Sequence, residues 1–185
     1  LIDQISSGKL ANSIKQNGIE TVKEILNDII LTGNDTNKTV AEMLYEKIDY
    51  LPKNLTFKVS QAKSAPSGTF IYAQKGSGNI LLLNSDRLKL KDRDHIAHVF
   101  LHELIHGITG YKIRLYEHEE RIAKGDKRAQ EDYDDLIKIV PDFALTENDR
   151  EVIKSLVVLF NQIKSKLLSD DVFRTAYDKY LVEKQ

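Results

Sequence analysis

The first third of the chain repeats its apolar positions with the period of an α-helix. One apolar stripe ends before Gly33 and a second ends before Pro52, residues that stop helices. The first stripe consists of Ile19, Val22, Ile25, Leu26 and Ile29, and the second of Val40, Met43, Leu44 and Ile48. Thr36 or Asn37 is the predicted N-cap of the second helix, since both side chains accept backbone hydrogen bonds. The pattern predicts two consecutive amphipathic helices.

The next stretch changes to the period of two that is typical of strands. Residues 55–59 alternate apolar and polar side chains, and residues 64–68 (SAPSG) predict a loop. Two further short strands are predicted at residues 69–73 (TFIYA) and 79–83 (NILLL). Residues 74–78 (QKGSG) contain two glycines between them, which predicts a hairpin.

The remainder of the chain returns to helical periodicity. The predicted helices cover residues 92–109, 112–139, 147–168 and 171–182, with breaks at Gly110, Pro141 and Ser169. Pro141 ends a helix because its ring and missing N–H oppose continuation. A small sheet followed by a mostly helical half predicts one α+β domain over residues 1–185.

The composition is that of an ordinary globular protein. The 185 residues are 41% hydrophobic and 30% charged, with a net charge of −1. Acidic and basic residues are interleaved, and no apolar run approaches the roughly 20 residues that span a bilayer. Residues 1–18 lack the apolar core of a signal peptide. We expect no nucleic-acid or membrane partner and a cytoplasmic location, while the oligomeric state stays open.

Two further features of the composition limit the chemistry. The chain begins at Leu1 and its single methionine is Met43, so we expect a piece excised from a larger protein, with functional residues possible beyond either end. There is no cysteine, which excludes disulfides, thiolate zinc sites and cysteine nucleophiles. Any bound metal must therefore be held by His, Asp or Glu.

Residues 97–107 (AHVFLHELIHG) contain the candidate chemistry. His102, Glu103 and His106 form an HExxH pattern inside a run of helical periodicity. Residues four apart lie on one helix face, so both imidazoles can bind the same ion. Zn²⁺ suits the pair because it accepts imidazole nitrogen, prefers four ligands and can keep one position for water. The pattern predicts a zinc site with His102 and His106 as ligands.

Glu103 is the predicted catalytic residue of this site. It follows His102 directly, which places its carboxylate beside the metal rather than on it. From there it can take a proton from the metal-bound water and deliver it to a leaving amine. His98 and His95 continue the histidine row toward the N-terminus of the helix. We interpret His98 as a supporting or packing residue and His95 as solvent-facing, while ligation by His98 stays open.

The segment from Gly68 to Gly110 resembles the zincin metallopeptidases. It has a strand hairpin, a strand ending in Asn84, a short linker and the helix AHVFLHELIHGIT, as in zincin-like domains of multidomain proteins from bacteriophages and mobile elements. The resemblance implies a zincin-like fold in which the edge strand of the sheet lies above the active-site helix. It also implies that an extended peptide substrate pairs with that edge through main-chain hydrogen bonds.

The third metal ligand is the point at which the sequence departs from known patterns. The metzincin extension requires glycine and histidine where this chain has Thr109 and Lys112. The NExxSD context that supplies a glutamate ligand in gluzincin-like families is also missing. The alternatives left open are His118, Glu119, Asp149, Glu151 or a residue beyond Gln185. In zincins of the phage type the acidic ligand comes well after HExxH.

The predicted function is zinc-dependent hydrolysis of peptide bonds in a peptide or protein substrate. A donor to the developing oxyanion is also expected. The available side chains are Tyr111, Arg114, Tyr116, Tyr177 and Tyr180, and none is singled out. Two alternatives remain: a catalytically inactive zincin-like module for binding or assembly, and a purely helical interaction domain with an accidental HExxH.

Overall fold

The computed structural model describes residues 2–7, 9, 10, 14, 15, 17–73, 78–89, 91–139 and 144–168. Its helices are α1 (Ile2–Ser6), α2 (Gly18–Thr32), α3 (Asp35–Tyr45), α4 (Ser85–Leu88), α5 (Arg93–Ala123), α6 (Lys127–Ile139) and α7 (Glu147–Leu168). Its strands are β1 (Ile14–Lys15), β2 (Leu55–Ser60), β3 (Gly68–Ile71) and β4 (Asn79–Asn84), and a 3₁₀ turn covers Ile48–Tyr50.

The strands form one mixed sheet in the order β1-β2-β4-β3. Strands β2 and β4 are parallel, whereas β1 and β3 pair antiparallel with β2 and β4. The predicted α+β class and the hairpin of β3 with β4 are therefore confirmed, and the purely helical alternative is wrong. Residues 74–77 of the predicted connection lie outside the described residues. Strand β1 has only two residues and was not predicted.

The two predicted N-terminal helices are confirmed, but the predicted N-cap is wrong. Asn34 caps α3, since its side chain accepts a hydrogen bond from the Asn37 N–H at 2.9 Å. The Asn37 amide group instead donates to the backbone carbonyl of Asp94 on α5, at 3.0 Å. Met43, predicted to be buried, is 63% exposed. The polar side chain of Asn37 is thus buried because it links α3 to α5.

Helix α5 is a single helix of 31 residues, so the predicted break at Gly110 is wrong. The chain turns only after Ala123, at Gly125, whose φ of +85° favours glycine. The predicted helix 112–139 is therefore the end of α5 followed by α6. Residues 147–168 are confirmed as α7. Pro141, Ser169 and residues 171–182 lie outside the described residues.

One face of the sheet packs against the helices. The buried side chains of this face are Leu55, Phe57, Val59, Phe70, Leu81 and Leu83. Residues of α5 from Ile96 to Ile108 join them in one hydrophobic cluster, together with α1, α2 and α3. Burial of each such side chain contributes about 1.5–3 kcal/mol. A second, smaller cluster joins α5 to α6 and α7 around Tyr111 and Leu115. Among the described residues, no helix combines the length and hydropathy needed to cross a membrane.

Strand β3 lies close to α5 because glycines at the contact carry no side chains. A Cβ at Gly68 would lie 2.7 Å from Cγ of Glu103, and a Cβ at Gly107 would lie 2.4 Å from the Phe70 ring. A Cβ at Gly110 would collide with the hydroxyl of Tyr72. Residues 68, 70 and 72 therefore lie over successive turns of α5. At Gly110, within α5, the Tyr72 ring occupies the space that a side chain would need.

The close contact predicts the effect of adding a methyl group at Gly107. Gly107→Ala should lower the free energy of unfolding by about 1–3 kcal/mol because the buried Phe70 ring must move, although alanine favours helices. Urea denaturation measures the change. Glu117→Ala, on an exposed position of the same helix, is the control and should shift stability by less than about 0.5 kcal/mol. An unchanged or increased stability of Gly107→Ala would contradict this packing.

Candidate metal centre

The rings of His102 and His106 meet on the exposed face of α5. Their Nε2 atoms are 3.1 Å apart, and the ring centroids are 4.7 Å apart with planes at 82°. Two nitrogens that each lie 2.0–2.1 Å from one tetrahedral Zn²⁺ are separated by about 3.3 Å. The contact is itself a hydrogen bond when only one ring carries an Nε2 proton. The donor type and separation therefore fit a shared cation after a shift of a few tenths of an ångström.

Glu103 does not share the exposed position of the two histidines. Its side chain is half-buried and turns toward β3, where Oε2 accepts a hydrogen bond from the Phe70 N–H at 2.9 Å. Gly68 makes room for this carboxylate, because any side chain there would collide with Glu103 and Val99. The structure thus places the carboxylate between the helix and the strand, one residue along from His102.

The two preceding histidines lie on the same exposed stripe of α5. His95 is exposed, as predicted, and its backbone N–H donates to the N-cap side chain of Asp92 at 2.7 Å. His98 is also exposed, so the interpretation of it as a packing residue is wrong. The His98 ring is thus open to solvent one turn before His102.

Asp149 and Glu119 are held in ion pairs rather than beside the histidines. Both carboxylate oxygens of Asp149 lie 2.8 Å from Nζ of Lys112. Burial alone would raise the pKa of Asp149, but hydrogen bonds from Lys112 and Thr146 hold it below its ordinary value. Glu119 accepts two hydrogen bonds from Arg150, at 2.8 and 2.9 Å, and this contact lowers its pKa. Both acids join α5 to α7.

The other two ligand candidates also stay apart from the histidine pair. His118 is half-buried, and its buried Nδ1 atom has no hydrogen-bond partner among the residues that the structure describes. Glu151 is exposed in the first turns of α7. Within the described ranges, no group of three His, Asp or Glu side chains is arranged to hold a metal. The structure therefore brings together the two predicted histidine ligands and adds no third protein ligand from these ranges.

Tyr72 is a residue near the site that the sequence analysis missed. Its hydroxyl donates to the backbone carbonyl of His106 at 2.8 Å, and the guanidinium of Arg114 lies 4.1 Å from its ring centroid. Burial raises the pKa of Tyr72, so the phenol stays protonated and can donate. The strand period that places residue 72 on the same face as residues 68 and 70 was the available signal.

The predicted oxyanion donors have other contacts. The Tyr111 hydroxyl is buried and donates to the side chain of Asn79, while it accepts from the Ala73 N–H at 3.1 Å. Arg114 covers Tyr72, and Tyr116 is partly buried on α5. Tyr177 and Tyr180 lie outside the described residues. Tyr111 thus stabilises the end of the hairpin.

An apolar groove runs along α5 from Ile105, the residue next to His106. Helix α5 contributes Ile105, Thr109 and Lys112, and α7 contributes Val152 and Leu156. The groove has a volume of about 480 Å³, and the Lys112–Asp149 ion pair lies in its wall. Its size is within the range of small-ligand clefts.

Comparisons of the chain with protein-family models, with curated protein sequences and with solved structures find no match. A functional assignment therefore depends on the geometry of α5 and β3.

The Lys112–Asp149 pair predicts a dependence of stability on pH. Because the folded-state pKa of Asp149 lies below its ordinary value, the contribution of this carboxylate to stability is present at neutral pH and is lost as the pH falls through that lower pKa. Asp149→Asn should lower the free energy of unfolding at pH 7 by about 1–3 kcal/mol. The free energy of unfolding of this variant should also fall less steeply as the pH decreases. Urea denaturation between pH 7 and pH 2 measures both, with the exposed Glu131→Gln as control. Equal acid dependence in Asp149→Asn would contradict the assignment.

Proposed function

We propose that this protein is a zinc-dependent peptidase with His102 and His106 as metal ligands and Glu103 as general base. The observation that carries the proposal is the 3.1 Å separation of the two Nε2 atoms, one residue away from a half-buried carboxylate. Imidazole pairs four residues apart on a helix suit Zn²⁺, and a neighbouring carboxylate suits proton transfer. A further ligand would come from outside the described residues or from water.

The proposed reaction divides the chemistry between the metal and the chain. Zn²⁺, when bound, supplies Lewis acidity that lowers the pKa of a coordinated water and polarises a carbonyl oxygen. Glu103 accepts the proton of the attacking water and transfers it to the leaving amine. Tyr72 donates to the His106 carbonyl and so supports the backbone of the helix turn that carries this ring. The exposed histidine face leaves room for a polypeptide substrate.

The position of β3 supports a peptide as the substrate. It is the last strand in the sheet order and lies beside the turn of α5 that carries Glu103. An extended peptide can add to such an edge through its main chain. The arrangement agrees with what the resemblance to zincins implies, and the zincin-like assignment is part of this proposal.

A second proposed function is a zincin-like module that binds or assembles without catalysis. Two observations favour it: the carboxylate of Glu103 already holds the Phe70 N–H, and the described residues offer no third protein ligand. Such a module would still bind Zn²⁺ through the histidines. Metal binding and peptide hydrolysis therefore need separate tests.

We expect one Zn²⁺ to bind per chain at the histidine pair. His102→Gln and His106→Gln should each weaken binding at least about 100-fold, because two imidazoles from adjacent turns chelate one ion. Isothermal titration calorimetry at pH 7.5 measures affinity and stoichiometry. His98→Gln is the matched control and should bind like the unaltered protein. Loss of binding in His98→Gln alone would move the site one turn toward the N-terminus.

We expect zinc-loaded protein to cleave fluorescein-labelled casein, and Glu103→Gln to lower kcat by about 10²–10⁴-fold while the zinc content is retained. The amide keeps the shape of the side chain but cannot accept the proton. Glu117→Gln, an exposed glutamate on the same helix, is the control and should retain full activity. Activity that survives Glu103→Gln would exclude Glu103 as the base, whereas zinc binding without cleavage in any form would favour the non-catalytic module.

A further inference from the structure

Strand β3 has one edge whose backbone groups point away from β4, and this edge is free of any other strand within the described part of the chain. The Ser67 carbonyl accepts a hydrogen bond from the Asn84 N–H at 2.9 Å, so residue 67 faces β4. Because the direction alternates along an antiparallel strand, the N–H and C=O groups of Gly68 and Phe70 face the other side. Among the described strands, none pairs with that side of β3.

An unpaired strand edge is a template for any extended chain, and proteins often protect it with a charged side chain. Here the Phe70 N–H, which faces outward, is bonded to Oε2 of Glu103 at 2.9 Å. The acceptor is a carboxylate, which makes a stronger hydrogen bond to N–H than a neutral carbonyl does. The side chain predicted to act as the base therefore also occupies the backbone donor that a pairing peptide would use.

The surroundings fix both partners of this hydrogen bond. Gly68 leaves space for the Glu103 side chain, since a Cβ there would lie 2.7 Å from its Cγ and 2.8 Å from Cγ1 of Val99. The Phe70 ring is buried against Gly107, which holds the strand in place. The contact is thus built into the packing of β3 on α5.

We propose that the hydrogen bond from the Phe70 N–H to Glu103 is a lock that blocks peptide pairing at the free edge of β3. An extended peptide opens the lock when it pairs with Phe70. A carbonyl group of the peptide replaces the carboxylate as the acceptor for the Phe70 N–H. The displaced carboxylate then becomes available for proton transfer. The role of the released group as a base depends on the proposed peptidase function, but the displacement itself does not.

The lock predicts that removal of the carboxylate strengthens peptide binding. Glu103→Ala should bind fluorescein-labelled β-casein, an extended polypeptide, about tenfold more tightly than the unaltered protein, and Glu103→Gln should be intermediate because its amide oxygen still accepts. Fluorescence anisotropy in EDTA measures the affinities without cleavage. Glu117→Ala is the matched control and should leave the affinity unchanged. If Glu103 acts only as a base, we expect no gain in affinity for β-casein in these variants.

Amide hydrogen exchange at Phe70 tests the same contact without a peptide. Exchange should be at least about tenfold faster in Glu103→Ala, and bound β-casein should slow it again. Gly68→Ala, which displaces Glu103 but keeps its carboxylate, should also speed exchange. Unchanged exchange in both variants, or no gain in casein affinity, would overturn the lock and leave the peptidase proposal intact. Faster exchange and tighter binding in a protein that fails to bind zinc would support the lock and reject the peptidase.

Discussion

Strand β3 packs on helix α5 with glycines at three contact positions, and the geometry of the candidate centre depends on this close approach. Gly68 admits the side chain of Glu103, and Gly107 and Gly110 admit the rings of Phe70 and Tyr72. With larger residues at these positions the strand would lie farther from the helix. The carboxylate would then not reach the Phe70 N–H, and the Tyr72 hydroxyl would not reach the carbonyl of His106.

The features predicted from sequence are those set by local periodicity. Stripes of apolar residues with helical spacing gave α2, α3 and α7, and alternation gave β2 and the β3–β4 hairpin. The histidine pair also belongs to this class, because residues four apart on any regular helix are neighbours. The two imidazole rings come together wherever residues 102–106 are helical, and the flanking apolar positions already indicated a helix.

The features that sequence could not predict are set by contacts between distant segments. Asn34 caps a helix in which the polar residue Asn37 is buried, because the Asn37 amide group donates a hydrogen bond to the carbonyl of Asp94, 57 residues further along the chain. Gly110 costs about 1 kcal/mol relative to alanine within a helix and therefore suggested a break, but the Tyr72 ring uses the space. The ion pairs of Asp149 and Glu119 likewise required knowledge of which helices are neighbours.

The uninterrupted course of α5 restricts how the length of this region can vary. This one helix carries His102 and His106, and further along it carries Lys112 and Glu119, which form ion pairs with residues of α7. Each residue added to or removed from a helix turns everything beyond it by about 100°. A single-codon insertion between the histidines and Lys112 would thus swing the distal ion pairs to the wrong side. Natural length variation should accumulate instead in the turn at Gly125, where no such rotation is transmitted.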